Sequence, residues 1–388
     1  MSSSDTRYAF IDSADALKAF CQTLQGERWI ALDTEFIREK TYYPQLCLLQ
    51  VGVPGNLACI DPTAIKDMSS LMDILYDRNI IKVLHSCSQD MEIFACMQGQ
   101  VPGPVFDTQL AAPLLGLPEQ TGYANFVQEM LGVTLDKSQT RTDWSRRPLE
   151  TAQLAYAADD VRYLAEIYPV FRKKLEALGR LEWLDAEFAQ CEEIGRYIRD
   201  PKQVWQRIRG LEKLKPWALS ILQSLAEWRE NIAREKNLPR NWVLKDDALM
   251  DIARLAPTNR DKLGSIRSLP PKTLDRYASA IIEHVSRAAE HSPQPLSQTA
   301  RRNKPTPDED ALADVLQAQL RVLAAEYRIN CASLASRKDL VAVAQGREDV
   351  PLLHGWRREM AGNDLLALRN GQRKLSVTNG RVTITDAE

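Results

Sequence analysis

The chain has 388 residues and sets 50 Lys plus Arg against 52 Asp plus Glu, with 44% hydrophobic and 26% charged residues, an ordinary soluble globular composition long enough for two or three domains. Its formal net charge of -2 hides an asymmetry: residues 1–200 hold 19 basic and 29 acidic side chains, net -10, and residues 201–388 hold 31 and 23, net +8. No run of 18 apolar residues marks a membrane span, the opening MSSSDTRYAF lacks the basic and apolar regions of a secretory signal, and the seven Cys contain no CxxC pair and no His-rich neighbourhood for zinc, so a cytoplasmic protein with reduced thiols is expected.

The first predicted elements are strands. Trp29–Asp33 is rich in β-formers, Leu46–Gly52 is a second run, and Leu57–Asp61 follows a Pro54-Gly55-Asn56 turn, which makes an antiparallel start. A helical stretch from Ala64 to Tyr76 leads to a fourth strand, Ile80–Leu84, then a helix from Gln89 to Gln98 and a fifth short strand at Val105-Phe106. A meander followed by helix-linked strands is an α/β architecture with a mixed five-stranded sheet.

From Lys213 onward strand signals disappear. Pro216–Lys236, Asp246–Leu255 and Pro271–Ala289 carry apolar residues at helical spacing and predict a small helical bundle. Residues 291–308, with Pro293, Pro295, Pro305 and Pro307 among Ser, Gln, Asn and Arg, have the composition of an exposed linker. A second helical segment spans Glu309 to Arg369, and Leu375–Ile384 around Asn379-Gly380 reads as a two-residue hairpin lying against that last bundle. The expected domains are therefore 1–205, 212–290 and 309–388, with 291–308 between the last two.

Asp33-Thr34-Glu35 interrupts an apolar strand, and alternation places both carboxylates on one face. Asp90 follows the strand Ile80–Leu84 at a helix start. Tyr156 and Asp160 lie one turn apart on a helix with Leu154, Ala157, Val161 and Leu164 as its core stripe. Spacing alone does not separate Asp159 from Asp160. Four carboxylates without His or Cys clusters favour hard divalent ions, and two such ions roughly 4 Å apart activate water and stabilise the leaving 3′ oxygen of a phosphodiester. A tyrosine one turn from a ligand is placed to hold that water, its free pKa of about 10 making it a poor base by itself.

Asp33-x-Glu35, Asp90 and Tyr156-x-x-x-Asp160 resemble the three motifs of the DEDD exonuclease superfamily in its tyrosine subgroup. The runs Thr142–Leu164 and Phe106-Asp-Thr-Gln-Leu-Ala-Ala112 resemble the ribonuclease D family in particular. The resemblance covers Trp29 to Leu164 and selects Asp160 over Asp159. It implies a ribonuclease-H-like exonuclease fold and metal-dependent hydrolysis of RNA from the 3′ end to nucleoside 5′-monophosphates. Asp33, Glu35 and Asp160 would hold the catalytic metal, Asp33 would bridge to a second ion, Asp90 would support that ion, and Tyr156 would orient the attacking water. The ions would be two Mg2+ or Mn2+. Thr34 and Phe36 would meet the terminal nucleotide, ordinary core packing being the alternative for Phe36.

Leu214–Arg287, with Leu238–Ala253, resembles the helicase and ribonuclease D C-terminal (HRDC) domain, and the second bundle, with Leu365–Gly371, resembles its divergent second copy. The basic clusters at Arg207, Arg209, Lys213 and Lys215, at Arg234, Lys236 and Arg240, at Arg301, Arg302 and Lys304, and at Arg357 and Arg358 suit phosphate contacts. Trp205, Trp217, Trp228 and Trp242 are candidates either for base stacking or for core packing. The implied partners are tRNA precursors and other small structured RNAs with single-stranded 3′ ends, acted on by a monomer with no membrane contact. Two other readings share these features: an RNA-binding protein whose exonuclease domain has decayed, and a DNA exonuclease with the same site. The complete ligand set favours an enzyme, and the Thr142–Leu164 run with paired helical modules favours RNA.

Overall fold

A computed structural model describes residues 8–136, 142–288, 292–294 and 304–387. Its main sheet has six strands, β1 (Ala9–Ile11), β2 (Trp29–Ile37), β3 (Gln45–Val53), β4 (Asn56–Ile60), β5 (Ile81–Leu84) and β6 (Val105–Asp107), in the order β1-β4-β3-β2-β5-β6. β2, β3 and β4 form the antiparallel meander, β5 and β6 add in parallel beside β2, and β1 pairs in parallel with β4. The expected five strands thus become six. Ala9-Phe10-Ile11 is too short to stand out by pattern and gains its strand only from the free edge of β4.

β2 also runs four residues past Asp33. The apolar pattern stops there because Asp33 and Glu35 face Asp160 instead of apolar side chains, while the ladder to β3 continues through Asp33↔Gln50 and Glu35↔Leu48. A bulge then pairs Phe36 with Leu46 and leaves Cys47 unopposed. The Cys47 carbonyl is recovered by the Arg147 guanidinium at 2.6 Å. Behind the meander, the expected helix from Ala64 is shorter, Ser69–Tyr76.

The 27-residue helix Thr151–Ala177 crosses the sheet and buries Ala157, Val161, Leu164, Tyr168 and Phe171 against it. Its first turn is closed reciprocally: Glu150 caps it, and the Glu150 backbone N–H donates to the Gln153 side chain at 2.7 Å. The opposite face of the sheet buries Leu17, Leu32, Leu49, Leu71 and Phe94.

The first helical bundle contains Pro216–Glu235, Asp246–Leu255 and Pro271–Ala288, and its core also takes in Val204, Trp205, Ile208 and Leu211. Trp205, 1% exposed, is core and offers no stacking face; Trp217 and Trp242 are exposed. The second helical segment begins with Pro307–Tyr327, capped by Thr306 and Glu309, and ends in the hairpin β7 (Arg373–Thr378) and β8 (Arg381–Asp386), where Asn379 and Gly380 both take positive φ as a type I′ turn requires. This segment shares one apolar cluster with the exonuclease domain, Leu316, Leu320 and Leu352 joining Phe106, Phe126 and Phe171. Trp183 stacks on Trp356 at 4.9 Å, Arg357 pairs with Glu187 at 2.8 Å, and Arg180 bridges the carbonyls of Leu114 and Tyr327 at 2.6 Å each. Most of the expected linker, with Arg301 and Arg302, lies outside the described residues.

Candidate active site

Asp33 and Glu35 project from one face of β2 toward the long helix, which brings Asp160 to meet them. One carboxylate oxygen from each of the three lies within 4.8 Å of the others. Asp90 comes from the first turn of the helix Ser88–Gln98 and accepts a hydrogen bond from the Thr34 hydroxyl. Asp159 points elsewhere and pairs with Arg162 at 3.0 Å. The two carboxylates that spacing left indistinguishable are thus separated by their surroundings.

The electrostatics of this cluster are unfavourable without a counter-charge. Burial, followed by the charges of Asp160, Asp90 and Glu35, pushes Asp33 well above the ordinary carboxylate range. Burial, Asp160 and Asp90 push Glu35 up to about 8. Burial raises Asp90 to about 7 against the opposing Thr34 hydrogen bond, and burial with Asp159 raises Asp160 to about 7. Among the described residues, no Lys or Arg forms an ion pair with any of the four. Converging carboxylate oxygens that resist ionisation are a donor set for hard divalent cations, whose charge would return these groups to their anionic forms.

Tyr156 lies on the Asp160 side of the helix, its ring 6.3 Å from that of buried Trp144. The segment bearing Trp144 is tied down by Arg147, which grips Asp61 through Nε at 2.5 Å and Nη2 at 2.8 Å and donates to the Trp144 carbonyl at 2.8 Å. Thr34 is buried with its hydroxyl on Asp90, and Phe36 is half-buried against the core behind the sheet.

Three supporting residues escaped sequence reasoning. Tyr123 donates its hydroxyl to the backbone carbonyls of Asp159, at 3.1 Å, and Asp160. Burial and the neighbouring carboxylates hold that phenol well above its usual range, so it remains a neutral donor. Asp107 accepts from the backbone N–H of Ser86 at 3.0 Å and Cys87 at 2.9 Å, fixing the turn that launches the Asp90 helix, and caps the next helix through Gln109 N–H at 2.8 Å. His85 spends both ring nitrogens on Thr108 and the Thr121 carbonyl. Asp107 had a signal, the Phe106–Ala112 run; Tyr123, 37 residues from its partner, had none.

Comparison with known proteins gives this geometry a family. Residues 8–176 match a 3′-5′ exonuclease family model, and residues 218–285 match the HRDC domain model. The chain is 39% identical to ribonuclease D of Sphingobium indicum over 97% of its own length and 98% of that protein, and 37% identical to ribonuclease D of Zymomonas mobilis over 97% and 98%. The crystal structure of Escherichia coli RNase D, described as an exoribonuclease involved in structured RNA processing, superimposes with a TM-score of 0.79 at 34% identity, covering 93% of this chain and 99% of that one. Near-complete coverage at this identity, with a fold that superimposes over almost the whole chain, shows that the chain belongs to the ribonuclease D family.

Proposed function

We propose that the protein is a metal-dependent 3′-5′ exoribonuclease that hydrolyses RNA 3′ ends to nucleoside 5′-monophosphates. The observation that carries this reading is the meeting of one carboxylate oxygen each from Asp33, Glu35 and Asp160 within 4.8 Å of one another. Family membership supplies the reaction class.

Bound divalent ions, two Mg2+ or Mn2+ in this reading, would supply water activation and neutralise charge developing on the leaving oxygen. Asp33, Glu35 and Asp160 would hold the catalytic position, with Asp33 shared toward a second position supported by Asp90. Tyr156 would orient the attacking water through its hydroxyl, with Trp144 limiting the movement of its ring. Attack of that water on the terminal phosphorus breaks the bond to the 3′ oxygen, releasing a nucleoside 5′-monophosphate and leaving a new 3′ hydroxyl. Thr34 and Phe36, at the same strand end, would border the terminal nucleotide, Thr34 also acting through Asp90.

Within this reading the chain divides into an exonuclease domain at 1–205, an HRDC domain at 212–290 and a second HRDC-like domain at 309–388. It works as a cytoplasmic monomer on tRNA precursors and similar structured RNAs with single-stranded 3′ ends. The test is hydrolysis of matched RNA and DNA oligonucleotides, free or blocked at the 3′ end, with and without EDTA. Loss of activity on blocked ends and in EDTA, preference for RNA, and abolition by Asp33→Asn or Asp160→Asn with RNA binding nearly intact are the expected results. Metal-dependent activity retained in either variant would overturn the assignment.

A further inference from the structure

Two adjoining clefts, of about 540 and 420 Å3, lie where the first helical bundle meets the end of β2 and the helix bearing Asp90. They share Tyr42, Arg199, Arg207 and Arg240 in their walls. Together they are lined by seven arginines and no lysine, against three carboxylates, Glu39, Glu92 and Asp246. Such a ratio in a protein of net charge -2 is a local concentration of positive charge.

The pairing within the clefts sharpens the contrast. Arg38 is taken by Glu92 at 2.8 Å, Arg229 by Asp246 at 2.6 Å, and Arg234 and Arg240 divide the fully buried Glu230 between them. Tyr42 stitches this wall together: its hydroxyl is bonded to Glu230, and it accepts from Arg234 at 3.1 Å and Arg240 at 3.0 Å. Arg199 and Arg207 have no carboxylate partner among the described residues. Burial, followed by the charges of Arg207 and Arg240, lowers the pKa of Arg199 and outweighs the opposing charges of Glu92 and Glu230. Like charges crowded at a cleft whose paired carboxylates, Glu92, Asp246 and Glu230, are taken by other arginines form a receptor for an anion, and the planar guanidinium fork matches phosphate oxygens in pairs.

The location names the anion. Arg38 stands just beyond the end of β2, three residues after Glu35 and so roughly 10 Å away for extended chain, and Ser88 and Glu92, which line the second cleft, flank Asp90 on its helix. We infer that Arg199 and Arg207, at the partition between the two clefts, hold backbone phosphates of the RNA strand a few nucleotides upstream of the scissile bond. This inference rests on the exoribonuclease reading for its substrate. It assigns a share of the RNA affinity to two specific arginines of the segment 196–207, which precedes residues 218–285 matched by the HRDC family.

The experiment uses the full chain carrying Arg199→Gln and Arg207→Gln together. Binding of a 12-nucleotide unstructured RNA is measured across a salt series in EDTA, where no hydrolysis occurs, and turnover is then compared on 12-nucleotide and two-nucleotide substrates in metal. The expected result is at least tenfold weaker binding, a log-log salt slope shallower by about 1.4 for two lost phosphate contacts, and at least a tenfold fall in the ratio of kcat/KM for the long substrate over the short one. Unchanged affinity and slope would overturn the inference, as would equal losses on both substrates. Should the double variant lose its thermal transition, Arg207→Gln alone, at an exposed position, is expected to show half the slope change. Because binding is read without metal, failure of wild-type hydrolysis would sink the enzymatic reading alone, and intact hydrolysis with unaltered binding in the variant would sink the cleft alone.

Discussion

The Thr34 hydroxyl on β2 donates to the carboxylate of Asp90, 56 residues away at the head of a helix. This bond ties the strand carrying two of the carboxylates to the element carrying another. It also opposes the upward push of burial on Asp90. Replacing Thr34 with Val keeps the shape and removes the donor. The expected outcome is a 10- to 100-fold rise in the Mg2+ concentration for half-maximal activity, the range for loss of a group that orients a ligand, with Thr34→Ser restoring it. A raised KM for RNA with an unchanged metal titration would instead assign Thr34 to the terminal nucleotide.

The carboxylate cluster links stability to pH with a definite sign. Asp33, Glu35, Asp90 and Asp160 all have folded pKa values above their unfolded ones, so their contribution is present below about pH 4, and that of Glu35, Asp90 and Asp160 is lost as pH rises through about 7 to 8. In EDTA, therefore, Tm is expected to fall between pH 5 and pH 8 by about 5 °C or more. Added Mg2+ or Mn2+ should raise Tm far more at pH 8 than at pH 5, because metal competes with protons for the same oxygens. Asp160→Asn should raise Tm in EDTA at pH 8 and blunt the metal response. Scanning calorimetry checks all of these, and a metal response independent of pH would contradict the picture.

What the sequence made legible divides along physical lines. The Asp33–Glu35 face followed from strand alternation, and the Tyr156–Asp160 pair from helical spacing, because both are local periodicities. Asp90 carried little local signal and was identified by resemblance. The sixth strand, at three residues, is too short to make a pattern, and the end of β2 is hidden because Asp33 and Glu35 take carboxylates into a run whose apolar alternation marks the strand. The second helical segment was expected to be a separate bundle, yet Leu316 and Leu352 share a core with Phe106 and Phe171. Amphipathic helices advertise an apolar face but not the surface that will cover it.

Tyr156 is assigned to positioning water, so its substitution should separate chemistry from metal binding. Tyr156→Phe keeps the ring against Trp144 and removes the hydroxyl. The expected loss is about 10- to 100-fold in kcat, with the metal titration and the RNA Kd shifted less than twofold. A wild-type kcat would reduce this tyrosine to a packing element.

Arg147 joins three regions that sequence places far apart: Asp61 after β4, the bulge carbonyl of Cys47, and the Trp144 segment beside Tyr156. Asp61 is almost fully buried, and although burial raises its pKa, the hydrogen bonds of Arg147 and Thr63 more than offset that and hold it below the ordinary range. Arg147→Met would leave this carboxylate buried with only Thr63 for support and the bulge carbonyl without its donor. Removing one partner of such a pair costs about 3–5 kcal/mol, discounted here to about 2–3 kcal/mol because the guanidinium is 27% exposed. Urea unfolding should show that loss. Since Trp144 would be freed along with the pair, kcat should fall too, while Asp61→Asn, whose amide oxygen can still accept from Arg147 Nη2 and Thr63 in place of Oδ1 and loses only the bond from Arg147 Nε, should lose less of both. Equal stability in Arg147→Met and wild type would mean that the Trp144 segment is held by packing alone.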